Sequence, residues 1–169
     1  MERLHLKTGR DVLIRPIQLD DAARLRAGYD RLSSRSKYQR FLAAKPHLSS
    51  TDTQYLVDVD GSNHVALVAV DCAAPREILA VARFVRYEQG GPGAELAVVV
   101  ADHAQREGLG RALLVRLLAK ASELGITRLG ATMLTENRAA QQLMHSLPAP
   151  VVDVRHKGAT EELELALGA

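Results

Sequence analysis

Gln105-Arg106-Glu107-Gly108-Leu109-Gly110 joins an apolar run to a stretch whose apolar residues recur at helical spacing. Paired glycines beside arginines make a loop suited to holding an anion. A helix that starts here presents N–H groups with no intrahelical partner, at the partly positive end of its dipole. Gly108 and Gly110 carry no Cβ, so a diphosphate can approach the main chain closely. Arg106 and Arg111 add cationic donors matched to phosphate oxygens. The alternative is an ordinary strand–turn–helix whose glycines serve only the turn. Spacing excludes two other phosphate loops. A dinucleotide fingerprint needs a third glycine where Leu113 stands. A P-loop needs Gly-Lys-Ser/Thr, whereas Arg111 and Ala112 follow Gly110.

The elements around this loop must position it. Ala94–Val100 (AELAVVV) reads as a buried strand, with Val98, Val99 and Val100 β-branched and Glu95 its only charge. From Leu109 onward, Leu113, Leu117, Leu118, Ala121 and Leu124 share one helical face. Arg116, Lys120 and Glu123 lie opposite, and Gly125 suits a left-handed cap. Upstream, Arg10–Ile17 reads as a first strand. Asp20 is the expected cap of the helix that follows, with Leu19 as its hydrophobic staple. That helix carries Leu25, Tyr29 and Leu32. Lys37–Ala43 and Thr51–Val59 read as two more helices, the latter with Tyr55, Leu56 and Val59 inward. These segments either simply cover a sheet face or wall a substrate groove. His64–Asp71 and Glu77–Tyr87 read as a strand pair. Arg128–Leu134 follows the main helix, so it should lie parallel to Ala94–Val100. Glu136–Leu147 is a further helix, and Val151–Arg155 with Glu161–Leu167 a closing hairpin. The order predicts an α+β fold on one mixed sheet, a single domain over residues 1–169.

Bulk properties narrow the function. A formal charge of +2, from 22 basic and 20 acidic residues, gives no concentrated basic face for nucleic acid. Cys72 is the single cysteine and cannot form an internal disulfide, which matches a reducing, cytoplasmic setting. No signal peptide and no run of the ~20 apolar residues that span a bilayer is read. The histidines form no HExxH pair or Cys/His cluster, so no metal is expected. Cys72 is given no chemical role.

The pattern Gln/Arg-x-x-Gly-x-Gly/Ala, met by Gln105, Gly108 and Gly110 between that strand and that helix, resembles the GNAT superfamily of N-acetyltransferases. The segments SSRSKYQRF, AELAVVV and TENRAAQQL are similar to the Pat-like branch of bacterial protein lysine acetyltransferases. The resemblance implies the acyl-CoA N-acyltransferase fold, a mostly antiparallel sheet flanked by helices with its central parallel pair splayed. It implies acetyl-CoA as cosubstrate. Gln105, Arg106, Glu107, Gly108, Leu109, Gly110 and Arg111 would hold the diphosphate. Main chain at Val98, Val99 and Val100 would pair with the pantetheine arm and polarise the thioester carbonyl. Asn137 would hydrogen-bond the arm, or else bond its own backbone at a helix start. Glu95 is the candidate general base, since an attacking ammonium must lose a proton.

The acceptor implied is a protein lysine, an acyl-CoA synthetase-type enzyme among the possibilities, or a small amine. A non-catalytic acetyl-CoA sensor is a third reading. No nucleic acid or membrane partner is expected, and the chain is read as monomer or homodimer. Met144 stands where many relatives carry a tyrosine that protonates the leaving thiolate, and Leu147-Pro148 replaces their Gly-Phe. The general acid is therefore unassigned. A thiol of pKa ≈ 8.5 leaves readily without one. His103 precedes the loop and is read as a solvated histidine, with an approach to CoA as the alternative.

Overall fold

The computed structural model describes residues 1–168. Glu2–His5 (β1) and Asp11–Pro16 (β2) form a hairpin. Three helices follow, Ala22–Asp30 (α1), Ser34–Phe41 (α2) and Ser50–Val57 (α3). Then come His64–Asp71 (β3), Ile78–Arg86 (β4) and Gly93–Val100 (β5). Leu109–Glu123 (α4), Arg128–Leu134 (β6), Arg138–His145 (α5), Val151–Lys157 (β7) and Thr160–Ala166 (β8) complete the chain. The sheet order is β1-β2-β3-β4-β5-β6-β8-β7. Every pairing is antiparallel except β5 with β6. Helix α4 supplies the crossover that a parallel neighbour requires.

Two apolar layers sandwich the sheet. On one face, Leu109, Leu113, Leu114 and Leu117 of α4 pack with Leu79, Phe84 and Leu129, each at most 1% exposed. Burying one such leucine contributes roughly 1.5–3 kcal/mol, so this helix is fixed by packing more than by propensity. On the other face, Leu25, Tyr29, Leu56 and Val57 of α1 and α3 cover Val68, Val70 and Val81. The first layer anchors the phosphate-loop helix. The second leaves β6, β8 and the end of β5 uncovered by helix.

The entry to α1 differs from the expected cap. Leu19 is 61% exposed and staples nothing, while Asp21 is fully buried. Arg15 grips Asp21 through two bonds of 2.6 and 2.8 Å, and Arg24 and the Gln18 amide add two more. Burial alone would raise that carboxyl; these donors outweigh it and hold it below the usual range. Strand β1 was not expected, because ERLH has no apolar alternation. It forms because Gly9, at φ +88°, turns the chain and the Leu6 amide donates to Arg10. Tyr55 points outward at 55% exposure, where the helical reading had it inward. Helices α2 and α3 end earlier than expected, and their caps are Ser33 and Ser49.

Candidate active site

Strands β5 and β6 part company at one place. They pair from Gly93↔Arg128 to Glu95↔Gly130 and no further. Beyond that point β5 stays with β4 to Val100, and β6 stays with β8 to Leu134. The gap between them exposes main chain. The Ala101 amide donates to Leu79, so in this register Val99 and Ala97 also spend their main-chain groups on β4. Val98 and Val100 turn theirs into the gap. The Gln105 side-chain amide already donates to the Val100 carbonyl at 3.1 Å.

The loop at the mouth of the gap is shaped by left-handed residues. Arg106 has φ 65° and Gly108 φ 87°. Successive N–H groups in such a turn converge on one side, which makes an anion-binding concavity. The two glycines serve different ends. A Cβ on Gly108 would meet no atom within 4 Å, so that position demands the backbone conformation. A Cβ on Gly110 would sit 3.2 Å from Leu143 Cδ2 and 3.6 Å from Val100 Cγ2, so that position demands close packing.

A cleft of about 810 Å³ runs from this loop along the gap. Glu95, Val98, Val99, Val100, Gln105, Arg106, Gly108, Leu109, Gly110, Arg111 and Asn137 all line it. Glu107 does not. Its carboxylate turns to the β1–β2 hairpin, where Arg10 Nε lies at 3.2 Å and the Thr8 hydroxyl at 3.3 Å. That removes a negative charge from the concavity while the Glu107 backbone stays in the loop. Arg111 donates to the Ser146 carbonyl at 3.2 Å, tying α4 to the end of α5. Asn137 Oδ1 accepts from the Ala140 amide at 3.2 Å, so Asn137 caps α5. Asp102 accepts from the Ser33 amide and from the Ser33 and Ser36 hydroxyls, docking α2 beside the loop. Met144 is buried in the cleft wall. His103 lies against Glu77 at 3.2 Å, away from the cleft.

Glu95 stands at the fork of the two strands, half-buried. The Tyr87 hydroxyl donates to Oε2 at 2.8 Å and the Thr132 hydroxyl to Oε1 at 3.1 Å. Burial, and then the carboxylate itself, hold the Tyr87 phenol well above its ordinary value, so it remains a donor. Gly130 makes room for the pair. A Cβ there would fall 3.2 Å from Glu95 Oε2 and well inside contact distance of the Tyr87 hydroxyl. Sequence reasoning missed Tyr87, Thr132 and Gly130.

Two smaller cavities flank Glu95 on the face away from α4. One, of about 340 Å³, lies over β6, β8 and β7, with Tyr87, Thr132, Asp153, Glu162 and Glu164 in its lining. The other, of about 400 Å³, lies under α2 and α3, with Arg40, Asp52, Tyr55 and Arg83 in its lining. Buried His64 abuts the second. Arg83 Nη1 donates to His64 Nε2 at 2.9 Å. A guanidinium offers only donors, so His64 accepts. Burial, then the Arg83 charge, lower the His64 imidazole to about 4.

The sign of the pH effect follows. The unfolded chain takes up a proton near pH 6.5 that the folded chain refuses. The stability is intact above that pH and is lost as pH falls toward about 4. Denaturant titrations between about pH 7 and pH 4.5 should show a loss on the order of 2–3 kcal/mol. A His64→Gln variant should show a smaller loss over the same window.

A family model described as an acetyltransferase (GNAT) domain matches residues 11–147. Acetyltransferase Pat of Mycolicibacterium smegmatis is 32% identical over 146 residues, covering 86% of this chain and 43% of that protein. This chain thus spans less than half the length of that relative. The crystal structure of the GNAT domain of S. lividans PAT superposes with a TM-score of 0.88 at 31% identity. It covers 98% of this chain and 96% of that one. A Salmonella typhimurium structure solved with its cofactor acetyl-CoA shares the fold, with a TM-score of 0.72 at 21% identity. There 93% of this chain and 94% of that one are covered.

Proposed function

The chain belongs to the GNAT acetyltransferase family, and from that premise we propose that it transfers the acetyl group of acetyl-CoA to a primary amine. The observation that carries this reading is the fork at Glu95↔Gly130. It puts a carboxylate at the head of a main-chain-lined gap whose far end opens on a helix N-terminus. The residues suit the cosubstrate. Amides of Arg106 to Gly110 and the dipole of α4 match a diphosphate. Free main-chain groups at Val98 and the Val100 amide match the amides of a pantetheine arm, and the Asn137 side-chain nitrogen is a further donor beside it. Val99 contributes its side chain as wall rather than its backbone.

Glu95 acts as the base. It takes one proton from the ammonium, directly or through one water, and the freed amine lone pair forms the N–C bond; as the C–S bond breaks, the second nitrogen proton passes to the leaving thiolate through solvent. A main-chain N–H of the gap steadies the carbonyl oxygen as charge develops on it. Tyr87 and Thr132 fix the carboxylate so that it faces the fork. No side chain is needed to protonate the thiolate, so Met144 is compatible with turnover.

A protein lysine is the acceptor we favour. The ground over β6 and β8 carries no helix, so a chain can approach Glu95 there from solvent, and the resemblance of this sequence to the Pat-like branch of protein lysine acetyltransferases supports the same reading. A small amine reaching Glu95 through the cavity under α2 is the second reading, favoured by the α2 and α3 side chains Arg40, Phe41 and Tyr55 in its lining. CoA release measured with lysine peptides and with small amines tests this. Turnover on lysine peptides supports the reading, whereas tight acetyl-CoA binding with no turnover on any acceptor replaces it with a sensor. Gly108→Ala should weaken acetyl-CoA binding about tenfold, since the left-handed φ costs a side chain about 1–2 kcal/mol and the loop must shift. Calorimetric titration checks it.

A further inference from the structure

The cavity under α2 and α3 holds two guanidinium groups that form no ion pair among the described residues. Arg83 is 5% exposed on β4, opposite Ala97. Its Nη1 donates to the Leu56 carbonyl at 3.0 Å and to His64, both uncharged. Among the described residues its Nε and Nη2 have no hydrogen-bond partner, and no buried side-chain nitrogen is sealed off without one. Those donors therefore face the open volume of the cavity. Arg40 lies beside Arg83, its guanidinium 4.6 Å over the Phe41 ring, and makes no hydrogen bond or ion pair among the described residues.

The acids in the lining are already engaged. Asp52 accepts from Lys45 at 2.9 Å and from the Ser49 hydroxyl and amide, which hold its carboxyl at about 2. Glu95 is held by the Tyr87 and Thr132 hydroxyls, and its charge acts on Arg40, not on Arg83. Burial, then the like charge of Arg40, push the Arg83 guanidinium down to about 9, so it stays cationic at neutral pH. A buried cation without a counter-charge is costly to keep, and removing that cost is what an incoming anion offers.

We propose that Arg83 and Arg40 form an anion subsite that reads a carboxylate on the acceptor, so that the enzyme prefers amines carrying one within reach of the cavity. This deepens the amine-acetylation reading and rests on it. The carboxylate binds the free donors of Arg83, and the amine of the same molecule then lies toward Glu95, which lines the same cavity. The anion has two sources, the α-carboxylate of a small amino acid or an acidic side chain flanking a lysine in a peptide.

The test uses matched pairs. L-amino acids are compared with their α-carboxamides, and lysine tetrapeptides flanked by aspartate with the same peptides flanked by asparagine. Each is measured for CoA release and, by calorimetry, for binding to the protein loaded with CoA. In one pair or the other, the carboxylate member should be favoured about ten- to a hundredfold. That ratio should fall toward one in Arg83→Met, and also in Arg40→Met, with thermal melting used to confirm that both fold. Arg83 lines only this cavity whereas Arg40 also borders the cofactor cleft, so the Arg83 result decides. The pair that shows the preference identifies the source. Carboxylate-selective, Arg83-dependent binding without turnover would sink acetyl transfer and leave the subsite standing. Equal binding of both members of every pair, or a preference that survives in Arg83→Met, overturns the subsite whether or not turnover occurs.

Discussion

Glu95→Gln should lower kcat/KM for acetyl transfer by about 10²–10⁴-fold, the range that a positioned general base contributes. The substitution is nearly isosteric. Of the Tyr87 and Thr132 hydroxyls, now at 2.8 and 3.1 Å from the two oxygens, one can still donate to the amide oxygen and the other can rotate to accept from the amide nitrogen. Fold and cleft should therefore survive, and acetyl-CoA affinity should change by no more than about twofold. What is lost is the ability to accept a proton. Steady-state rates alongside calorimetry separate the two effects. An equal loss of binding and turnover would make Glu95 a cleft-shaping residue; an unchanged rate would remove it from the chemistry.

Gly130→Ala should be nearly as damaging to rate, although it adds one methyl group and no charge. The new Cβ would lie in the space of the Tyr87 hydroxyl and 3.2 Å from Glu95 Oε2. Tyr87 belongs to the end of the β4–β5 hairpin and can swing outward, since it is already 62% exposed. The hydrogen bond to Glu95 then breaks and the carboxylate shifts. A misplacement of about 1 Å at a reacting group can cost about 10²-fold, and a loss of that order in kcat is expected. The phosphate loop is remote, so acetyl-CoA affinity should hold. Tyr87→Phe is the companion measurement. It removes the bond without displacing the ring, so its loss should be smaller than that of Gly130→Ala. A Gly130→Ala enzyme with wild-type kcat would show that the Tyr87–Glu95 contact does not set the rate.

The two kinds of residue in this site were unequally visible in the sequence. The loop from Gln105 to Gly110 was legible because its geometry is local. Two glycines, a strand before and a fifteen-residue helix after it are contiguous in the chain. The roles of its glycines were not separable, because only the fold shows that Gly110 packs on Leu143 while Gly108 needs its φ. Glu107 was assigned to the loop on adjacency alone. Its partner Arg10 lies 97 residues away in the chain, in the β1–β2 hairpin.

The cluster around Glu95 draws on β4, β5 and β6, so it depends on register. Tyr87 and Glu95 come onto one face only through the pairing Val85↔Glu95, and Gly130 joins them only where the parallel pairing ends. A lone charge in an apolar strand did single out Glu95. A related signal marks Arg83, the one charge inside ILAVARFVR before the terminal Arg86, in a strand buried over most of its length. Strand β1 and the Asp21 anchor were hidden for a related reason. Their stability comes from partners supplied by the turn and by Arg15 rather than from any pattern of their own.

A crystal structure of this chain with acetyl-CoA would test the central claim most directly. The account predicts the diphosphate on the amides of Arg106 to Gly110, the arm against the main chain of Val98 and Val100, and the acetyl group at the fork beside Glu95. A cofactor whose diphosphate lies away from that loop, or whose thioester ends far from the Glu95 carboxylate, would contradict it.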